Sequence, residues 1–195
     1  MPIRSYFLFA KVNAQLVGFG FLMTFSSSFG QTYFVGAFGP SIQAEFGLTH
    51  TSWGLIYMIG TLASAALLPW SGKQIDRLSL RLYTVIVVVI VAIACITTAL
   101  TTGPLMLIFA IFLLRQSGQG LASHTGITTM ARYFDADRGR AIAIATLGFS
   151  VGQAFLPFAA VASVVAFGWR FSYASVGAIA IVILLPTVLW LLKDH

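Results

Sequence analysis

Arg115 stands alone: residues 82–114 before it and 116–131 after it carry no charge. A guanidinium in such surroundings must find partners, because an unpaired charge in hydrocarbon is costly. Two roles fit. Its planar fork of donors suits a carboxylate, so it can meet an anion, or it can bind backbone carbonyls of a neighbouring helix. At 100° per residue Gly118, Gln119, Ala122, Gly126 and Thr129 fall within about 60° of Arg115, giving one small or polar face. His124, nine residues on, is expected about 180° away on the opposite face, as a packing histidine or a proton relay. A second concentration of chemistry is "SGKQIDRLSLRLY", residues 71–83, where Asp76 is set among Lys73, Arg77 and Arg81. An acid among bases can make ion pairs that open and close.

Other signals are weaker. "GFSVG" at 148–152 fits the G-x-S-x-G pattern of a serine nucleophile, which works on a strand-to-helix elbow beside a histidine and an acid; here it falls mid-helix, and an enzyme is not expected. The single cysteine, Cys95, can build neither a disulfide framework nor a cysteine-based metal site. No phosphate-cradling loop or Cys/His cluster is visible, so no cofactor or metal is expected.

The elements that position these residues follow from composition. The 195 residues are 58% apolar and 8% charged, with a formal charge of +6; soluble domains are about a quarter charged. Uncharged runs occupy 12–44, 46–72, 82–114, 116–131, 141–169 and 171–192. About 20 apolar residues cross a bilayer as a helix, and the period-two alternation of barrel strands is absent. The expectation is an all-α membrane protein with six transmembrane spans at about 14–38, 51–71, 81–101, 104–131, 140–165 and 171–192. "TTGPL" breaks the third span from the fourth, since Gly103 and Pro104 end one helix and start the next. Residues 1–11 resemble the start of a secretory signal, but the apolar run that follows is too long and lacks a clear cleavage site, so a retained first helix is expected. Assigned to alternate sides, Arg4, Lys11, Lys73, Arg77, Arg81, Arg132, Arg138, Arg140 and Lys193 share one side and Arg170 takes the other. That bias puts both termini in the cytoplasm, in a plasma or bacterial inner membrane. It also accounts for the positive charge without nucleic acid. Trp53, Trp70, Trp169 and Trp190 all lie near span ends, where indoles prefer the interface.

The loop between the second and third spans resembles the signature of the major facilitator superfamily, G-x-x-x-D-R-x-G-R-[RK]. Gly72, Asp76, Arg77 and Arg81 match it, Ser79 stands where the second glycine belongs, and Leu80 replaces an expected base or falls in a variable place. "ARYFDADRGRAIAIATLGFSVGQAFLP", residues 131–157, is similar to monocarboxylate and oxalate/formate-type members. Arg115, followed by Gly118 and Gly120, resembles their R-x-x-x-G-x-G motif with the spacing one position off. "VGQAFLPFAA" lacks the Gly-Pro pair and following glycines of drug antiporters.

The resemblance implies a fold, the N-terminal six-helix bundle of a transporter built from two inverted three-helix repeats. It implies a function, alternating access for a small solute such as a mono- or dicarboxylate; a drug or sugar is the alternative cargo. Gly72, Asp76, Arg77 and Arg81 become a cytoplasmic gating loop. Helices one and four line the central cavity in that family, so Arg115, Gln119, Gln31 and Tyr33 become candidate substrate contacts; interhelical hydrogen bonding is the other reading of Gln31 and Tyr33. The second six-helix half is absent from residues 1–195. The chain is therefore expected either to need a partner half or self-dimer within the lipid bilayer, or to be a truncated subunit without transport of its own.

Overall fold

A computed structural model describes residues 3–193, which are helical nearly throughout and contain no strand. Helix α1 (Ile3–Val12) leads into a first long pass made of α2 (Ala14–Ser26), a 3-10 turn at Ser27–Gly30 and α3 (Thr32–Phe46). The second pass is α4 (His50–Gly72), followed by a 3-10 turn at Lys73–Asp76, and the third is α5 (Leu80–Ala99). The fourth joins α6 (Pro104–Leu114) to α7 (Ser123–Tyr133) through a π-helical stretch, Arg115–Ala122. The fifth is α8 (Arg138–Phe167). The sixth joins α9 (Trp169–Ile179) to α10 (Leu185–Leu191) through a shorter π-helical stretch, Ala180–Leu184.

Five of these helices, His50–Asp76, Leu80–Ala99, Pro104–Tyr133, Arg138–Phe167 and Trp169–Leu191, are each long and apolar enough to cross a membrane. The pair Tyr6–Val12 and Ala14–Phe46, bent by 101°, makes a sixth when counted together. Local chemistry sets the ends. The Thr49 side chain accepts from the Ser52 N–H at 3.1 Å and caps α4. Pro104 occupies the first turn of α6, where its missing N–H costs nothing. Ser79, the departure from the family pattern, has a use: its side chain accepts from the Leu82 N–H at 3.3 Å and caps α5.

Expected and observed ends agree within two residues, except that the first pass continues to Phe46 rather than stopping near 38. Hydropathy falls at Gln43 and Glu45, but the backbone stops only where Gly47 adopts φ 60°. Polarity locates the membrane edge, and the left-handed glycine locates the helix end.

The bundle sets a group of polar side chains within an otherwise apolar interior and turns large apolar side chains outward. Thr24, Ser26, Ser27, Ser28, Gln116, Ser117, Thr125 and Thr129 are buried, whereas Leu105, Phe158 and Val165 are more than 80% exposed. An aromatic knot of Phe34, Phe38 and Tyr173 fills the space between the first and sixth passes. Closest approach occurs through glycines: a Cβ on Gly148 would lie 2.4 Å from the Phe21 carbonyl, and one on Gly152 would lie 2.1 Å from the Ser28 hydroxyl. Small residues are what let membrane helices meet backbone to backbone. At the end of the bundle away from the 71–83 loop, Glu45 accepts from Trp169 Nε1 and Arg170 NH2 at 2.6 Å each, while Arg170 NH1 donates to the Ala99 carbonyl at 2.6 Å. This clasp ties the first, third and sixth passes together.

Candidate functional site

The first pass is broken where it meets the fourth. After Ser27–Gly30 the chain turns extended at Gln31, with φ −78° and ψ 151°, before α3 begins. The break leaves the Gly30 carbonyl outside a regular helical ladder, and Arg115 NH1 donates to it at 3.0 Å. Irregular backbone at this depth is stable only where protein satisfies it or a cavity wets it. The approach needs two glycines: a Cβ on Gly30 would sit 2.1 Å from the Leu114 carbonyl, and one on Gly118 would sit 2.5 Å from the Gly30 nitrogen. Arg115 also lies 3.4 Å from Thr32 Oγ1 and 5.4 Å from the centre of the Tyr57 ring, and the Tyr57 hydroxyl donates to Thr32 at 2.9 Å. Its side chain is 92% buried, being 8% exposed, yet Nε has no partner, and nor does the buried Oε1 of Gln119.

Both residues line a cavity of about 370 Å³ between α4 and the fourth pass. Thr61 and Ser64 supply hydroxyls from α4; Ser123, His124 and Thr128 complete the polar lining from the fourth pass. His124 is therefore beside Arg115's cavity, not on the opposite face of the helix. The π-helical stretch is the reason. An i→i+5 turn holds more residues than an α-turn, so each step rotates by roughly 80° instead of 100°. Over Arg115–Ala122 the lag grows to well over a third of a turn, which brings His124 round to the cavity. It also carries Gly118 and Gly126 away, to face the first pass: a Cβ on Gly126 would lie 2.9 Å from the Gly20 carbonyl.

A second cavity, of about 390 Å³, continues toward the 71–83 loop and shares Leu68, His124 and Thr128 with the first. Gly72, Lys73, Asp76 and Arg132 line its far end. Asp76 pairs with Arg132, whose NH1 also donates to the Ile75 carbonyl at 3.2 Å. The gating residues expected from sequence are thus divided. Gly72 and Asp76 meet at the second cavity, whereas Arg77 and Arg81 are exposed and do not line it. Arg132, which sequence reading places only among the cytoplasmic bases, is the partner of the acid.

Of the candidate substrate contacts, Arg115 and Gln119 come together, while Gln31 and Tyr33 do not line the cavity. The Tyr33 hydroxyl donates to Ser28 at 2.7 Å within the first pass. Gln116 escaped the sequence reading altogether. Buried, it donates to Ser71 Oγ at 2.6 Å and accepts from Ser64 Oγ at 3.1 Å, fixing α4 against the fourth pass. The available signal was a glutamine beside the one charged residue of a span. Ser150, centre of the "GFSVG" match, is exposed mid-helix in α8, and its flanking glycines pack against the first pass. Among the described residues no group of three or more His, Cys, Asp or Glu could hold a metal ion.

A family model described as Major Facilitator Superfamily matches residues 20–195. No curated protein and no solved structure matches the chain.

Proposed function

The chain belongs to the major facilitator superfamily of membrane transporters, and from that premise we propose that it carries a small organic anion, such as a mono- or dicarboxylate, by alternating access. The observation that carries the reading is an orphaned buried donor, Arg115 Nε, on a residue that lines a cavity together with Gln119. Gly30 and Thr32 hold the guanidinium in place from one side. A carboxylate entering from the cavity accepts from the remaining guanidinium N–H groups, and the Gln119 side chain stands beside it with an NH2 donor of its own. Hydrogen bonds to charged groups contribute about 1.5–3 kcal/mol each. A cavity of this size with hydroxyls from Thr61, Ser64, Ser123 and Thr128 in its lining suits a small polar solute better than a bulky apolar drug.

Asp76 and Arg132 form the cytoplasmic latch in this reading, with Arg77 and Arg81 as the outlying bases of the same loop. The protein lies in a plasma or bacterial inner membrane with both termini cytoplasmic, as the distribution of its bases argues. Alternating access takes two bundles rocking about a central site. The helices described here make one, and in this reading the transporting unit adds a second six-helix half to it.

The test is uptake of radiolabelled lactate and oxalate by the assembled protein in proteoliposomes. Arg115→Gln should reduce uptake at least tenfold; uptake equal to the wild type rules out the anion role. Asp76→Asn should slow transport severalfold while leaving substrate affinity nearly intact, and wild-type rates would remove the latch.

A further inference from the structure

We propose that His124 is a proton-binding site coupled to the anion site, so that the carrier moves a proton together with its carboxylate. The inference rests on the carboxylate reading above and adds the coupling ion to it. His124 is shared by the Arg115 cavity and the cavity that ends at Asp76 and Arg132. Its ring lies between the site and the latch. Nδ1 is 3.3 Å from the Thr128 hydroxyl, and the other edge, Nε2 and Cδ2, comes 3.6 Å from where a Gly72 Cβ would stand. Histidine is the side chain whose charge ordinarily changes between about pH 5 and 8. Of the acids among the described residues, Glu45, Asp76, Asp135 and Asp137, only Asp76 lines either cavity.

The charges facing the ring decide the coupling. The fourth pass contributes Arg115 and Arg132, and the turn after α4 contributes Lys73 and Asp76; α4 itself contributes no titratable group to either lining. Asp76 is paired with Arg132, which leaves Arg115 and Lys73 without a carboxylate among the described residues. An imidazolium added to the empty lane would be a further cation with no counter-ion. A bound carboxylate supplies one. Each ligand therefore favours the other, and by reciprocity the gain is equal in both directions. The imidazole takes its proton from the water of the open side and returns it on the other side with the anion. A monocarboxylate moves with one proton and no net charge.

The experiment measures binding of radiolabelled lactate and oxalate to the assembled protein in nanodiscs, from about pH 5.5 to 8, where both probes stay ionised and histidine changes charge. Proton uptake is followed with an indicator dye in weak buffer. The expected wild-type result is one proton taken up per lactate bound at the alkaline end, with affinity weakening about tenfold per pH unit there. His124→Gln should bind weakly and His124→Arg tightly, both without pH dependence or proton uptake. Wild-type lactate binding without proton uptake overturns the proposal with no variant needed, as does a His124→Gln protein that keeps the wild-type pH profile. In those cases binding that still requires Arg115 leaves the carboxylate reading standing. Failure of both anions to bind at every pH overturns the two together.

Discussion

In the proposed role Arg115 both anchors and recognises, and the two duties fall on different nitrogens. NH1 is committed to the Gly30 carbonyl, while Nε is orphaned. Arg115→Lys keeps the charge but replaces a rigid fork by a flexible point charge. It should therefore weaken lactate binding by about tenfold, short of the loss in Arg115→Gln, in the same radioligand assay. Gln116 has a structural duty instead. Gln116→Ala removes its bonds to Ser64 and Ser71; such bonds average about 0.6 and reach about 1.7 kcal/mol in membrane proteins. A drop of a few degrees in Tm in detergent, with lactate affinity unchanged per folded molecule, is the expected outcome. At this scale the sequence was informative about Arg115, since an isolated base in an apolar run admits few explanations. It misled about His124, because the angular arithmetic assumed α-helical winding through a stretch that does not have it.

Between residues and the bundle stand the irregular elements: the broken first pass and the widened turn of the fourth. They meet at Gly30 and Gly118, where an added Cβ would strike backbone rather than a movable side chain. Gly118→Ala should accordingly cost about 1–3 kcal/mol, the range for overpacking. Gly139→Ala, at an open position in α8, should leave stability unchanged or slightly raised, as alanine favours helix. Comparative thermal melts in one detergent distinguish the two. The long helices and most of their ends were readable from apolar run length, Pro104 and the glycines. The irregular elements were not readable, because a 3-10 or π turn differs from an α turn by one hydrogen-bond register and leaves no mark in hydropathy. Arg132 was hidden for another reason: its partner Asp76 lies 56 positions away, and only packing of α4 against the fourth pass joins them.

For the whole molecule, the Glu45–Trp169–Arg170 clasp is the clearest long-range tie. Hydrogen bonds from Arg170 hold the Glu45 carboxyl below its usual range. A depressed carboxylate contributes stability that is fully present above the unfolded-state value and is lost as pH falls through the folded one. The wild type should thus lose Tm as the medium is acidified below about pH 4.5, the ordinary glutamate value. Glu45→Gln should be less stable near neutrality and lose less on acidification. Because the pair is half-exposed, added salt should narrow the difference. Topology is checked at the same scale. Cys95 is fully buried, so a maleimide in intact cells should miss the wild type and also miss Ser79→Cys until the membrane is opened. Labelling of Ser79→Cys from outside would reverse the orientation argued from the bases.

The wide turn at Arg115–Ala122 also makes the fourth helix sensitive to chain length. Loops usually absorb the loss of a residue by slackening, but a helix transmits it as rotation. Deleting one position there would tend to restore ordinary winding and swing everything downstream, as a key turns its bit. His124 would leave the two cavities it now lines and Arg132 would turn from Asp76, although neither residue had been replaced.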